Sequence, residues 1–212
     1  MKYAEENKEY WHAGGPFHIE DGSPKGPGWP VNETVRESVL DLIEKRSDIV
    51  AITAGTPSVI GFTEDYRKRA GKQFVDVGIA EEHAVTFAAG LAAGGMLPVF
   101  AVYSTFLQRG YDQIIHDAAI QKLNITFAID RAGVVGEDGE THQGIYDAAF
   151  LSQIGIPVIS PSNYQELRFW LRRLVKEYTG PCAIRYARGG EDPRLKDLGC
   201  SGAPWDQLSA DP

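Results

Sequence analysis

The chain has 212 residues, a formal net charge of −8, 43% hydrophobic and 24% charged residues, the make-up of a soluble globular domain with one good core. The acidic balance argues against a nucleic-acid-binding surface, which needs clustered Lys and Arg. No apolar run is long enough to span a bilayer, no secretory h-region occupies the first thirty residues, and Cys182 and Cys200 make neither a disulfide framework nor a four-ligand zinc site, so neither membrane nor nucleic acid is expected as a partner and the expected location is cytoplasmic.

Residues 1–30 are rich in Gly, Pro and charge (HAGGPFHIEDGSPKGPGWP) and read as an extended linker. From residue 31 to 190, helical and strand patterns alternate. Asn32 is a candidate cap for a helix whose apolar positions Val35, Val39, Leu40 and Ile43 follow a 3.6-residue period. Short β-rich runs follow at 48–53, 74–77, 98–103, 125–130, 157–160 and 182–186. Helical segments fall between them at about 82–94, 106–121 and 164–177. That alternation implies βαβ units and an α/β fold: a doubly wound, mostly parallel six-stranded sheet with helices on both faces. Ala88, Ala89, Ala92 and Ala93 mark a very closely packed helix, either against its own sheet or against a partner domain. Residues 191–212 return to Pro, Gly, Ser and Asp and read as a linker or tail.

Chemistry-bearing residues fall at the predicted carboxyl ends of strands, where open α/β folds bind ligands. Glu81 follows an apolar strand and heads a helix of small residues, either as a plain cap or as a carboxyl group held against a ligand. Tyr103 and Phe106, in YSTF, can stack on a flat heterocycle or serve only as core. The loop Asp130–Gly144 carries Arg131, Asp138 and His142 without hydrophobic periodicity. It reads as a solvated turn around Asp138-Gly139 or as a binding loop. Arg188 follows the last strand, and two guanidinium forks on different strand ends can close on one dianion. Arg185 competes with it, but strand alternation sends Arg185 into the sheet or against a neighbour. His83 and His116, flanked by apolar residues, read as structural, and no spacing among the five histidines suggests a metal site.

Four stretches in order, VDVGIAEEHAVTFAAGLAAGG, AVYSTFLQRGYDQIIHDAAIQKL, FAIDRAGVVGEDGETHQGIYD and AIRYARGG, cover most of residues 32–190. Together they resemble the pyrimidine-binding domain of the transketolase family of thiamine-diphosphate enzymes, and within it the 1-deoxy-D-xylulose-5-phosphate synthases. The resemblance implies that Glu81 hydrogen-bonds the aminopyrimidine N1′ of thiamine diphosphate and promotes the imino tautomer that deprotonates the thiazolium C2. Phe106 then flanks the pyrimidine and Tyr103 lies in the catalytic site. Arg131 and Arg188 grip the phosphate of glyceraldehyde 3-phosphate, with Asp138 and His142 facing its hydroxyls and carbonyl. Arg109 belongs to the same motif as Phe106 and is a further substrate-binding candidate. The implied reaction condenses pyruvate with glyceraldehyde 3-phosphate, releasing CO₂, towards isoprenoid precursors, thiamine and pyridoxal.

Two departures from the family pattern stand out: Ala187 replaces the usual proline of YPRG, and Gly55-Thr56-Pro57-Ser58 replaces a different turn. In the family, Mg²⁺ and the cofactor diphosphate are held by a GDG…N motif on a separate domain, and no such motif occurs here. The expectation is an excised domain or one half of a split enzyme, inactive alone, completed by a diphosphate-binding domain or subunit and homodimeric in its full form. Its linker-like ends favour excision. Other readings stay open: the pyrimidine domain of a transketolase or of a 2-oxo-acid dehydrogenase beta-like subunit, or a non-catalytic assembly domain.

Overall fold

A computed structural model describes residues 1–6, 8, 11, 16–23, 25, 30–196 and 198–202. The remainder of the expected linker and the expected tail from residue 203 onward lie outside the described residues.

Helix α1 spans Pro30–Lys45 and buries Val31, Val35, Val39, Leu40, Leu42 and Ile43 along one face. Proline suits a first helical position, where its missing N–H has no partner to lose. Asn32 is therefore not the cap. It lies inside the helix, buried, and its Nδ2 donates to the Val59 carbonyl at 2.6 Å.

The six strands fall where the β-rich runs place them: β1 Ile49–Thr53, β2 Phe74–Asp76, β3 Leu97–Tyr103, β4 Thr126–Asp130, β5 Val158–Ile159 and β6 Cys182–Arg185. All pair in parallel, in the order β2-β1-β3-β4-β6-β5. The remaining helices are α2 Glu64–Ala70, α3 Glu81–Ala93, α4 Asp147–Ile154 and α5 Tyr164–Glu177.

Successive side chains of a strand face opposite sides, and helices cover both. One core packs Ile49, Ala51, Val99, Ala101, Ala128 and Ile184 against α1, α2 and α5. The other packs Val50, Ile52, Phe100, Val102, Phe127 and Ile129 against α3, α4 and the helical run between β3 and β4. Ala84, Val85, Ala88 and Ala89 lie in this second core, so these small residues fit α3 to its own sheet. Gly90 and Ala93 remain exposed.

Two further features depart from the sequence expectations. The run expected as one helix over 106–121 is instead pieced together from Ser104–Leu107, a 3₁₀ turn at Gln108–Gly110, Tyr111–Gln113 and a π-helical stretch at Ile114–Ala119. The break falls where the run meets α3, for a Cβ at Gly110 would lie 2.9 Å from Cγ2 of Val85. Nor is the amino-terminal segment wholly extended. Residues Lys2–Glu6 form a short helix, and the Trp11 ring packs edge-on against Phe17 at 4.4 Å and beside Tyr3 at 5.2 Å, since aromatic area removed from water favours local collapse.

Candidate active site

From β1 the chain passes outward to β2 and returns across β1 to β3, so the topological switch lies at the carboxyl ends of β1 and β3. The candidate residues gather along that edge. The loops after β1 and β2 are tied by one side chain, since Asp76 Oδ1 accepts the backbone N–H of Gly55 at 2.8 Å and of Gly78 at 3.0 Å. The 55–58 turn is thereby fixed, and a Cβ at Gly55 would lie 2.9 Å from Cγ1 of Ile79.

This tie delivers Glu81 as the first residue of α3, only 2% exposed. Arg109 Nη1 lies 3.1 Å from Glu81 Oε2, close enough for an ion pair. Its N–H is not aimed along the bond, however, so Oε2 receives no hydrogen bond from the described residues. Arg109 also lies 3.5 Å from Glu82 and is half exposed. The structure thus sets Arg109, a further substrate-binding candidate, beside Glu81 and Glu82.

Tyr103 ends β3 and stacks on Phe106, with centroids 4.9 Å apart and planes 14° from parallel. The His142 ring meets Phe106 edge-on at 5.3 Å, and the Arg131 guanidinium carbon lies 3.9 Å above the Tyr103 ring. Burial pushes the Tyr103 phenol above its ordinary range. Four of the expected residues therefore form one continuous stack: Arg131, Tyr103, Phe106 and His142.

Arg131 follows β4 in the left-handed region, with φ of 55°, which residues bearing a Cβ seldom adopt. Asp130 holds it there: one carboxylate oxygen accepts the Arg131 backbone N–H and the other its Nη1, both at 2.7 Å. Asp130 is wholly buried, and burial pushes its carboxyl up to about 6 against the opposing pull of Arg131. Arg131 Nε also donates to Asp138 Oδ2 at 2.8 Å, and Arg188 donates to Asp138 Oδ1. The two expected phosphate-gripping arginines do converge, but on Asp138, which faces them rather than open space. Ala187 is exposed beside this site.

The loop carrying Asp138 and His142 is closed on itself. Gly133 and Gly144 exchange backbone hydrogen bonds at 2.6 and 2.8 Å across its neck. Gln143 spans the interior, accepting from Val135 N–H and donating to the Val135 and Gly139 carbonyls at 2.7–2.8 Å. The neck is so tight that a Cβ at Gly144 would lie 2.1 Å from the Arg131 carbonyl oxygen. Arg185 braces it from β6, donating to both oxygens of buried Asp147 at 2.7 and 3.1 Å and to the Gly144 carbonyl at 3.2 Å. Arg185 is thus engaged against its neighbours, as alternation along β6 suggests.

Outside this edge the picture is plainer. His83 and His116, read as structural, are both exposed. His116 Nδ1 lies 3.1 Å from Asp112, and His83 tilts beside Phe87. Among the described residues no group of three or more His, Cys, Asp or Glu is placed to hold a metal ion, and no helix is long and apolar enough to cross a membrane.

Sequence reasoning gave no role to Asp130, Gln143 or Gly144. Asp130 carried a signal, an acid at a strand end beside an arginine. For Gln143 and Gly144 nothing local distinguishes them, because their partners lie across the loop.

A family model described as the transketolase pyrimidine-binding domain matches residues 30–190. The 1-deoxy-D-xylulose-5-phosphate synthase of Chlorobaculum tepidum is 51% identical over 197 residues, covering 89% of this chain and 31% of that protein. That of Clostridium acetobutylicum is 47% identical over 192 residues, covering 90% and 31%. The chain therefore spans about a third of the length of the curated relatives it matches. Among solved structures, a split-gene transketolase described as an inactive beta4 tetramer superposes with a TM-score of 0.66 at 25% identity, covering 78% of this chain and 53% of that one. The transketolase of Campylobacter jejuni gives 0.66 at 19% identity, covering 73% and 25%, and shows the shared fold.

Proposed function

Because the chain belongs to the transketolase pyrimidine-binding-domain family, we propose that it supplies the pyrimidine-binding half of the active site of a 1-deoxy-D-xylulose-5-phosphate synthase, acting on pyruvate and D-glyceraldehyde 3-phosphate with loss of CO₂. The observation that carries the reading is Glu81, a buried carboxyl group at a helix amino end whose Oε2 accepts no hydrogen bond among the described residues. A buried carboxylate oxygen without an aligned hydrogen bond is costly even beside a cation, and a ligand donor relieves that cost. A basic ring nitrogen of thiamine diphosphate has the right chemistry.

The neighbouring residues fit the same ring. Phe106 offers an aromatic face already stacked on Tyr103, and offset stacking contributes about 0.5–1.5 kcal/mol beyond area burial. When bound, thiamine diphosphate supplies a ring that stabilises a carbanion. Glu81 presents Oε2 to the ring nitrogen, Arg109 keeps positive charge beside that carboxylate, and Phe106 fixes the ring plane. Arg131 and Arg188 face the acceptor phosphate, and His142, half-buried against Phe106, stands where a substrate carbonyl or hydroxyl approaches.

Diphosphate and Mg²⁺ call for a set of oxygen ligands. We assign these to a second domain or subunit that docks on the carboxyl edge of the sheet, as in a homodimer. Supporting this, Ile79, Val134, Ile145 and Tyr146 are all more than half exposed on the loops around the site, an apolar collar of the kind that marks an interaction surface. The two free cysteines suit a cytoplasmic setting.

Calorimetric titration with thiamine diphosphate and Mg²⁺, with and without a separately produced diphosphate-binding domain, tests the reading. Binding is expected only when that domain is added, and tight binding by this chain alone would overturn the half-site assignment. In the complete enzyme, Glu81→Ala is expected to remove turnover with the thermal midpoint unchanged. Near-normal turnover would refute the role of Glu81.

A further inference from the structure

Four charges meet at the end of β4. Arg131 is 3% exposed and lies between wholly buried Asp130, at 2.7 Å, and Asp138, at 2.8 Å. Arg188 reaches the other oxygen of Asp138. Two cations are thus matched by two carboxylates, the inner pair buried and the outer pair half-buried, and the pair of arginines presents no net charge to an incoming anion. A phosphoryl dianion entering this cluster would leave it with two uncompensated negative charges, at distances where like charges repel strongly in a partly dry site. The least costly relief is a proton, because a carboxyl group beside new negative charge holds its proton more tightly.

We propose that Asp130 and Asp138 make the Arg131–Arg188 site a proton-coupled dianion receptor, in which a phosphoryl group binds together with one proton taken up by Asp130. The proposal rests on the reading above that these arginines receive the acceptor phosphate. Asp130 is the acceptor of the proton because it alone of the two carboxylates is wholly enclosed, and burial already holds its carboxyl up at about 6. The groups facing it are Arg131 and Asp138 from the loop and the phenols of Tyr103 on β3 and Tyr186 after β6, and Arg188 joins the cluster through Asp138. Tyr103 pairs with Asp130 in the sheet register, and Tyr186 follows the Ile129–Arg185 pair on the other side. Both phenols are pushed upward by burial and stay protonated, so neither competes. Proton balance is simple: free Asp130 is a carboxylate at neutral pH, occupied Asp130 is a carboxylic acid, and one proton leaves the buffer. A monoanionic carboxylate such as pyruvate gains less from this exchange, so the site selects for a doubly charged group.

Sulfate is the probe, since it remains a dianion throughout the range. Titration of the full chain from about pH 6 to about pH 8, in buffers of different ionisation enthalpy, counts protons directly. Expected is an uptake approaching one proton per sulfate near neutrality and an affinity falling by up to about tenfold per pH unit as pH rises. Asp130→Asn is expected to bind sulfate more tightly than the unaltered chain at about pH 8 and to show no proton uptake. His142→Gln, which removes the imidazole near this edge, is expected to retain the uptake. Sulfate bound with no proton exchange and a flat pH profile would overturn the proposal while leaving the arginine pair as an anion site. Loss of uptake in His142→Gln but not in Asp130→Asn would likewise overturn it. Absence of sulfate binding at every pH would remove the phosphate-site reading itself and the proposal with it. If Asp130→Asn does not fold, the proton count in the unaltered chain and in His142→Gln decides.

Discussion

At the scale of single residues, Asp130 and Gly144 hold the site in shape. Burial of Asp130 raises its carboxyl from an ordinary 3.8 to about 6, so its contribution to stability is fully present below the lower value and lost as pH rises through the upper one. The unaltered protein is therefore expected to lose stability relative to Asp130→Asn between about pH 4 and about pH 7. Urea midpoints of both proteins across that range check the sign, and parallel curves would contradict it. Gly144→Ala places a methyl group 2.1 Å from a backbone oxygen. Backbone must move to admit it, so a loss of about 1–3 kcal/mol is expected, read from the same denaturation curves. How visible these residues are in the sequence differs for a physical reason. Tyr103 ends β3, and Glu81, Phe106, Arg131 and Arg188 each lie a few residues beyond a strand, so the apolar runs that mark the strands also point to them. The pairing of Asp138 with both arginines depends on a left-handed Arg131 and on a loop closed at Gly133 and Gly144. Neither is a property of neighbouring residues.

At the scale of elements, strands were read more faithfully than short helices. Strands β1, β3 and β4 are apolar and buried along their length, which gives continuous runs. Helix α2 buries only Tyr66 and Ala70 among charged residues, and α4 is two turns long with a left-handed Gly155 at its end; neither offers enough periodic positions to register. Helix α5 has both a strong pattern and a strong start. Asn163 Oδ1 accepts the Glu166 N–H at 2.9 Å, and Glu166 in turn accepts the Ser162 N–H and hydroxyl at 2.7 Å. Asn163 Nδ2 also donates to the carbonyls of Leu195 and Leu198 at 3.1 Å. Asn163→Ala is expected to cost about 1–2 kcal/mol in stability and to speed amide exchange at Leu198. A stability loss without faster exchange at Leu198 would show that the cap does not also secure this segment.

At the scale of the whole molecule, every functional candidate projects from one edge of a single parallel sheet, and the apolar collar lies around it. Val134 is 85% exposed, so Val134→Asp is expected to leave the fold within about 0.5 kcal/mol of its original stability. Sedimentation with a diphosphate-binding domain should nonetheless show association weakened about tenfold, the cost of about 1.4 kcal/mol expected when an apolar contact is replaced by a charge. Unchanged association would move the docking surface elsewhere. The strand order carries a consequence for the making of the chain. Strand β6 is the last to be synthesised, yet it lies between β4 and β5. Until residues 182–185 leave the ribosome, β4 has an open backbone edge and β5 has no hydrogen-bonded neighbour, and unpaired strand edges invite association with other chains. Arg185 and Arg188 arrive on or just after that same strand. The nascent chain thus closes its vulnerable edge and completes its anion site in one late event, so a polypeptide halted before β6 is both aggregation-prone and without half of its arginine pair.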